Sequence, residues 1–282
     1  MFVIPSIPLK NHMKIVFRSS LFLTLLLLVV PVFASDHGES AQKVAPQEAL
    51  QMLMDGNARF VAGNLTHPHE TIERARETAT NGQHPFVTVL SCSDSRVPPN
   101  IIFDQGIGDI FAIRVAGNVV GSHELGSIEY GVEHAGTRLC VVLGHTKCGA
   151  VTAACTGGGN EGNVKSLMRA IRPAVARTRT EMEVETSKTG KDVKEIIEAC
   201  AIQNVIYQIE TLYKESEILR EAVQKGELLI VGAIYDIESG KVEKVTTPCP
   251  MAVMEALKEA GEQDRQQPIR RMFRPLFNVP RR

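Results

Sequence analysis

The chain has 282 residues, 44% of them hydrophobic, and its 31 Lys and Arg against 32 Asp and Glu give a formal net charge of −1. This balance gives no reason to expect a nucleic acid as a partner. Six cysteines at irregular spacing exclude the disulfide framework of a small secreted domain, and the length suits one domain with a sizeable core.

The N-terminus has the pattern of a secretory signal. Lys10, Lys14 and Arg18 precede the apolar run LFLTLLLLVV, which is followed by PVFA and the polar SDHGES. The apolar run is shorter than the about 20 residues of a membrane span. We therefore expect residues 1–34 to be a signal peptide cleaved after Ala34, and residues 35–282 to be exported across the cytoplasmic membrane to the periplasm. The alternative is an uncleaved anchor. The mature chain would carry 28 Lys and Arg against 32 Asp and Glu, a net charge of −4.

The first half of the mature chain predicts an N-terminal helical arm, followed by alternating strands and helices. APQEALQMLMDGNARFVAG has apolar residues at helical spacing and ends at a glycine. The run PFVTVL is apolar and rich in β-branched residues, as are strands that are covered on both faces. DIFAIRVAG and RLCVVLGH are predicted to be the second and third strands. HELGSIEYGVEHAG, between the second and third runs, is predicted to be a helix, and so is the stretch that opens with TKCGAV.

The second half predicts one helix from about Val164 to Thr180 and a longer one from about Val193 to Lys225. The stretch ELLIVGAIYDIESGKVEKV follows as a strand with a turn at Ser239 and Gly240. Regular alternation of strands and helices predicts the α/β class: a single domain with a mainly parallel central β-sheet flanked by helices, preceded by the extended helical arm.

Two of the predicted strands end in residues that can bind a metal. Cys92 follows PFVTVLS, His145 ends RLCVVLGH, and Cys148 comes three residues later. The carboxyl ends of parallel strands meet at one edge of the sheet, where ligands gather. Two thiolates and one imidazole are a good zinc set that leaves a fourth position open, as in catalytic sites. Taken singly, however, a cysteine at a strand end is more often a small core residue.

The stretches around these residues resemble the β-class carbonic anhydrases. CSDSRVPP and, about fifty residues later, GHTKCGAV look like the two signatures of that family. Further similar stretches are MDGNARFVAGN, IRVAGNVV, SIEYGVEHAG and VGAIYDIESGKVEKV, so that the resemblance covers roughly residues 45–245. It implies a plant-like enzyme with an open site, and the N-terminal signal predicts that this is an exported form.

The resemblance implies a site for one zinc ion per subunit, bound by Cys92, His145 and Cys148. Asp94 and Arg96 would form a carboxylate–guanidinium pair beside the metal. Asp94 would orient a zinc-bound hydroxide towards CO2, and Arg96 would hold Asp94 through a planar pair that lysine could not reproduce. The implied reaction is the reversible hydration of carbon dioxide to bicarbonate and a proton.

Four further residues match positions that contact substrate in the family. Gln83 would donate its amide hydrogen to CO2 or bicarbonate. Phe111, Ala116 and Tyr130 would line the substrate pocket, partly across a subunit interface. The family forms dimers or multiples of dimers, so we expect a homodimer or a dimer of dimers.

The family also has a closed state, in which the aspartate becomes the fourth metal ligand. A tryptophan helps to form the bicarbonate pocket that favours that state, but this chain contains no tryptophan and has Val89 at the corresponding position. We therefore expect Asp94 to pair with Arg96. Two alternative functions remain at this stage: a non-catalytic zinc or bicarbonate-binding protein on the same scaffold, and a hydrolase of a CO2 analogue such as carbonyl sulfide or carbon disulfide.

Four cysteines and the C-terminal tail stay outside this site. Cys140 lies in an apolar run and is predicted to be a core residue, while Cys155, Cys200 and Cys249 leave room for up to two disulfides among the four. The basic tail, about residues 264–282, contains five arginines within its last segment QQPIRRMFRPLFNVPRR. In order of preference, we expect it to pack on a neighbouring subunit, to contact an anionic membrane surface or to be partly disordered.

Overall fold

The computed structural model describes residues 44–182 and 193–246, which contain a five-stranded sheet in the order β2-β1-β3-β4-β5. The first four strands are parallel and β5 is antiparallel to β4. This arrangement confirms the predicted mainly parallel sheet of an α/β domain. The strands are β1 (Val87–Ser91), β2 (Ile110–Arg114), β3 (Leu139–His145), β4 (Leu229–Tyr235) and β5 (Val242–Val245).

Helices connect the strands and cover both faces of the sheet. A short 3-10 turn, Ala116–Asn118, follows β2. The α-helices are α1 (Pro46–Ala62), α2 (Ile72–Asn81), α3 (Pro99–Ile102), α4 (Ser122–Glu133), α5 (Gly149–Thr156), α6 (Val164–Glu181), α7 (Val193–Glu215) and α8 (Glu217–Gln224).

The central strand β3 is buried along its whole length, and its residues from Leu139 to Leu143 are all apolar. Leu139, Val141 and Leu143 pack in the same core as Leu53 of α1. Cys140 and Val142 point to the opposite face, into a second core that is shared with α7. Successive side chains of a strand point to opposite faces, so a strand covered on both sides needs apolar residues throughout. Cys140 is fully buried there, as predicted for a core residue.

The prediction of one helix from Val193 to Lys225 is wrong, because the chain breaks at Ser216 between α7 and α8. Ser216 has extended dihedral angles (φ −113°, ψ 116°), and its hydroxyl accepts a hydrogen bond from the amide of Leu219. The same hydroxyl donates to Glu129 on α4 at 2.6 Å. Serine caps a new helix better than it continues an old one, and the contact with α4 fixes the break.

Helix α2 lies in a polar stretch for which the sequence predicts no element. None of its residues is buried, so it has no apolar stripe that a periodicity could reveal. Its start is nevertheless specified locally, since Thr71 Oγ1 accepts a hydrogen bond from the amide of Arg74 at 3.2 Å.

The predicted signal peptide, the basic tail and Cys249 lie outside the described residues. Within 44–182 and 193–246, no helix combines the length and the apolar character that crossing a membrane requires. The described cysteines are free thiols and all of them are buried.

Candidate metal centre

The site lies where the order of the strands changes direction. From β1 the chain continues to β2 on one side of the sheet, and from β3 it continues to β4 on the other side. Such a switch point leaves a crevice at the carboxyl ends of the two central strands, between the diverging connections. Cys92 directly follows β1, His145 is the last residue of β3, and Cys148 is the residue before α5.

The structure brings the three predicted ligands together. One Sγ atom from each cysteine and a ring nitrogen of His145 all lie within 4.8 Å of one another. The exposed fractions of Cys92, His145 and Cys148 are only 4%, 0% and 2%, so all three ligands are buried in the protein. Two thiols and an imidazole converging in a buried site form a donor set suited to zinc.

The hydrogen bonding of His145 fixes which ring nitrogen faces the cluster. Nδ1 lies 2.9 Å from the carbonyl oxygen of Thr146, and a carbonyl oxygen can only accept, so Nδ1 carries the proton. Nε2 is buried and has no hydrogen-bond partner in the described chain. A buried nitrogen lone pair without a donor is costly unless something binds it, and a metal ion fits this position.

The sulfur of Cys92 is held as a hydrogen-bond acceptor. The backbone amides of Asp94 and Gly117 donate to Cys92 Sγ at 3.4 and 3.3 Å. The thiol of Cys148, together with these two amides, lowers the pKa of Cys92, although burial opposes the shift. The same contact with Cys92, together with burial, raises the pKa of Cys148. The pair therefore favours one thiolate and one thiol, and a metal that takes both sulfurs releases the remaining proton.

Asp94 and Arg96 form the predicted pair. Arg96 Nε donates to Asp94 Oδ1 at 2.9 Å and Arg96 Nη2 donates to Oδ2 at 2.7 Å, while the Arg96 amide also donates to Oδ1 at 3.0 Å. These bonds hold the pKa of Asp94 well below its usual range and raise the pKa of Arg96. Asp94 is not a member of the ligand cluster found among the described residues.

Sequence reasoning missed two residues beside the site: Arg114 supports the loop between Cys92 and Asp94, and Lys147 contacts Arg96. Arg114, the last residue of β2, donates from Nε to the carbonyl of Cys92 at 3.2 Å and from Nη2 to the carbonyl of Asp94 at 2.7 Å. Lys147 lies between two ligands with φ +57°, and its carbonyl accepts from Arg96 Nη2 at 3.5 Å. Arg114 stands in IRVAGNVV, a stretch already singled out for its resemblance, but nothing in the spacing indicates a contact with the loop.

The four predicted substrate-contacting residues are divided between the two ends of the sheet. Ala116 belongs to the turn that follows β2, beside the ligand Cys92. Gln83 is exposed and precedes β1, whereas Cys92 follows it. A strand of this length spans roughly 17 Å. Gln83 makes no hydrogen bond within the described chain, so one chain does not bring it to its own ligand cluster.

Phe111 and Tyr130 also lie away from the ligands. Phe111 is paired in register with Thr88, near the amino end of β1. The rings of Phe111 and Tyr130 stack with centroids 6.0 Å apart, and Tyr130 is 52% exposed although it is a large aromatic residue. Gln83, Phe111 and Tyr130, the amino-end group, therefore all lie away from the chain's own metal cluster.

Comparison with known proteins agrees with the site. A family model described as carbonic anhydrase matches residues 87–242, a range that contains the whole ligand cluster. A carbonic anhydrase of Mycolicibacterium smegmatis is 38% identical over 202 residues, which are 70% of this chain and 92% of the relative. Carbonic anhydrase 2 of Mycobacterium tuberculosis is 36% identical over 200 residues, 70% of this chain and 91% of the relative.

Solved structures show the same fold. A β-carbonic anhydrase of the fungal pathogen Aspergillus fumigatus aligns with a TM-score of 0.57 at 27% identity, covering 76% of this chain and 97% of the other. One of two tetrameric β-carbonic anhydrases from the filamentous ascomycete Sordaria macrospora aligns with a TM-score of 0.55 at 26% identity, covering 62% of this chain and 87% of the other.

Proposed function

Because the chain belongs to the β-class carbonic anhydrase family, we propose that it catalyses the reversible hydration of carbon dioxide with one zinc ion per subunit. Cys92, His145 and Cys148 would hold the zinc. The observation that carries the proposal is the buried convergence of their three ligand atoms within 4.8 Å at the switch point of the sheet. Zinc in such a site acts as a Lewis acid that lowers the pKa of a bound water towards about 7.

Asp94 is the residue that orients the nucleophile. Its Oδ1 already accepts two hydrogen bonds from Arg96, whereas Oδ2 accepts one. A carboxylate oxygen has two lone pairs, so Oδ2 is the atom with a remaining acceptor site. The low pKa of Asp94 keeps this oxygen an acceptor at neutral pH, and a hydrogen bond to Oδ2 then points the lone pair of the nucleophile at the carbon of CO2.

Arg96 and Arg114 keep Asp94 in place. The two hydrogen bonds from the Arg96 side chain fix the plane of the Asp94 carboxylate. Arg114 fixes the backbone by donating to the carbonyl oxygens of Cys92 and Asp94. A planar guanidinium with several donors suits both tasks, and a lysine ammonium does not. Arg96 and Arg114 thus limit the directions from which Asp94 Oδ2 can accept a hydrogen bond.

A complete substrate pocket requires a second copy of the chain. Gln83 lies beyond the amino end of β1, at the opposite end of this strand from Cys92, and Tyr130 is exposed although it is a large aromatic residue. We propose that the protein assembles at least as a dimer, and that the amino-end group of one subunit completes the substrate pocket beside the zinc site of the other. Gln83 would then donate its amide hydrogen to an oxygen of CO2 or bicarbonate.

We further propose that residues 1–34 direct export to the periplasm. Three basic residues followed by a short apolar run and a small residue support this proposal. Cell fractionation followed by mass spectrometry of the purified protein tests it, with Ser35 expected as the first residue in the periplasmic fraction. Full-length protein in the cytoplasm would contradict export without affecting the proposed reaction.

Stopped-flow measurement with a pH indicator on zinc-loaded protein 35–282 tests the reaction. We expect CO2 hydration between pH 7 and pH 9, and no activity in a Cys148→Ser variant that has lost zinc. Zinc-loaded protein that binds bicarbonate without turning over CO2 would favour the binding-protein alternative. Turnover of carbonyl sulfide or carbon disulfide without CO2 hydration would favour the hydrolase.

A further inference from the structure

The turn after β2 is held against the ligand Cys92 with little freedom to move. Gly117 donates its amide to Cys92 Sγ and has φ +73°, in the left-handed region that favours glycine. A Cβ atom at this position would come within 2.7 Å of Ile171 Cδ1 and 3.2 Å of Ala150 Cβ. The position therefore has to be glycine for two separate reasons, and the turn packs directly on α5 and α6.

Two buried amide side chains of α7 bind this turn from the other side. Asn204 Nδ2 donates to the carbonyl of Gly117 at 2.9 Å. Gln208 Nε2 donates to Asn204 Oδ1 at 3.0 Å, and Gln208 Oε1 accepts from the amide of Val120 at 2.8 Å. Residues four apart on a helix are neighbours on one face, so α7 presents a continuous amide pair to the turn.

Helix α7 also contains a buried amide side chain that does not contact the turn. Gln203 is the neighbour of Asn204 and is equally buried, at 0% exposure. Neither its amide nitrogen nor its oxygen has a hydrogen-bond partner in the described chain. Burial of an amide on α7 is therefore not enough to produce contact with the turn, and the bonds of Asn204 and Gln208 are specific to it.

We propose that Asn204 and Gln208 are positioning residues that hold the Gly117 amide on Cys92 Sγ and thereby limit the charge that this sulfur donates to a bound metal ion. The inference rests on the metal site of the proposed function. An N–H group that donates to a thiolate stabilises the sulfur lone pairs, and loss of an outer hydrogen bond of this kind typically changes metal affinity or activity about ten- to a hundredfold. α7 thus acts on the metal through the backbone of Gly117, without touching it.

The first test uses the protein loaded with Co2+ and reads the sulfur-to-cobalt charge-transfer band. Asn204→Leu removes the donor to Gly117, and the band should shift to longer wavelength because the sulfur lone pairs rise in energy. Zinc affinity, measured by chelator competition, should fall about tenfold, because Cys92 Sγ loses the hydrogen bond that keeps it positioned for binding and favours its thiolate form. Gln208→Met, which leaves Asn204 in place but unsupported, should give a smaller shift in the same direction.

Gln203→Leu is the matched control, because it removes an equally buried amide from the adjacent position. Its band and its zinc affinity should equal those of the wild type. An Asn204→Leu band at the wild-type position, or an equal shift in Gln203→Leu, would overturn the inference. If Asn204→Leu does not fold, the comparison of Gln208→Met with Gln203→Leu decides in the same way.

A second measurement needs no variant. In wild-type protein loaded with ¹¹³Cd, a hydrogen bond from the Gly117 amide to Cys92 Sγ should transmit a scalar coupling between that amide proton and the cadmium. Absence of the coupling in cadmium-loaded protein would overturn the inference while leaving the metal site intact. Protein that binds none of these metals would contradict the proposed function itself, so the two failures are distinguishable.

Discussion

The two ends of the central strands differ in how far a single chain completes them. At the carboxyl end, Cys92, His145 and Cys148 are buried and converge, and the sulfur of Cys92 accepts two backbone amides. At the amino end, Gln83 is exposed without a hydrogen bond in the described chain, and Tyr130 presents an aromatic ring to solvent. The metal half of the site is thus preorganised within one chain, whereas the substrate half, in our proposal, is completed by a second one.

The largest expected effect is at the metal half. Cys148→Ser should lose zinc and all measurable CO2 hydration, because a serine hydroxyl is a poor zinc ligand and leaves only two good ones. Zinc content by atomic absorption and stopped-flow rates check this. Cys155→Ser, a buried cysteine on α5 outside the cluster, should keep its zinc. Activity that survives complete zinc loss in Cys148→Ser would contradict the mechanism.

The next effect separates orientation from metal binding. Asp94→Asn should keep zinc but lower kcat by about a hundredfold or more, because it replaces the acceptor that orients the nucleophile. The hydrogen bonds from Arg96 hold the pKa of Asp94 below its usual range, so Asp94 stays ionised throughout pH 7 to 9. Any titration of the wild-type rate in that interval must then come from another group. Glu238→Gln, at the carboxylate that pairs with Lys147, is the control and should retain activity.

A smaller effect is expected at the substrate half. Gln83→Ala should reduce kcat/KM by roughly ten- to a hundredfold with zinc content unchanged, because one donor to the substrate is lost. The neighbouring His84 is also exposed, and His84→Ala should leave kcat/KM unchanged. Equal losses in both variants would mean that this surface acts through assembly alone.

The smallest effect concerns the strain at the metal half. Lys147 adopts φ +57°, which costs a residue with a Cβ atom about 1 kcal/mol relative to glycine. Lys147→Gly should therefore be more stable to urea unfolding than Lys147→Ala by about that amount. Both variants lose the contact with Glu238, so their difference isolates the backbone. Equal stability of the two variants would mean that the backbone at Lys147 is not strained.

The sheet and the ligands were predictable because their signals are local. Strands buried on both faces read as continuous apolar runs, and Cys92 and His145 stand where such runs end. The break at Ser216 was not predictable, because it depends on a hydrogen bond to Glu129, which is distant in sequence. Serine within a helical pattern is common, and only the tertiary contact turns this one into a cap.

Asn204 and Gln208, which support the site, were not predictable either, because their role also depends on a tertiary contact. Asn204 and Gln208 are polar residues on a largely buried helix, and their spacing of four indicates a shared face but no partner. Only the folded chain shows that this face meets the turn containing Gly117. The separation of Gln83 from the ligands, in contrast, was implicit in the sequence, because one extended strand stands between Gln83 and Cys92.

The central claim, that each site combines the metal half of one subunit with the substrate half of another, can be tested by complementation. Gln83→Ala has intact ligands, and Cys148→Ser has an intact Gln83. After the two variants are mixed and allowed to exchange subunits, mixed dimers should contain one complete site, and activity should rise to about a quarter of the wild-type value. Activity that equals the average of the two separate variants, despite proven subunit exchange, would contradict the account.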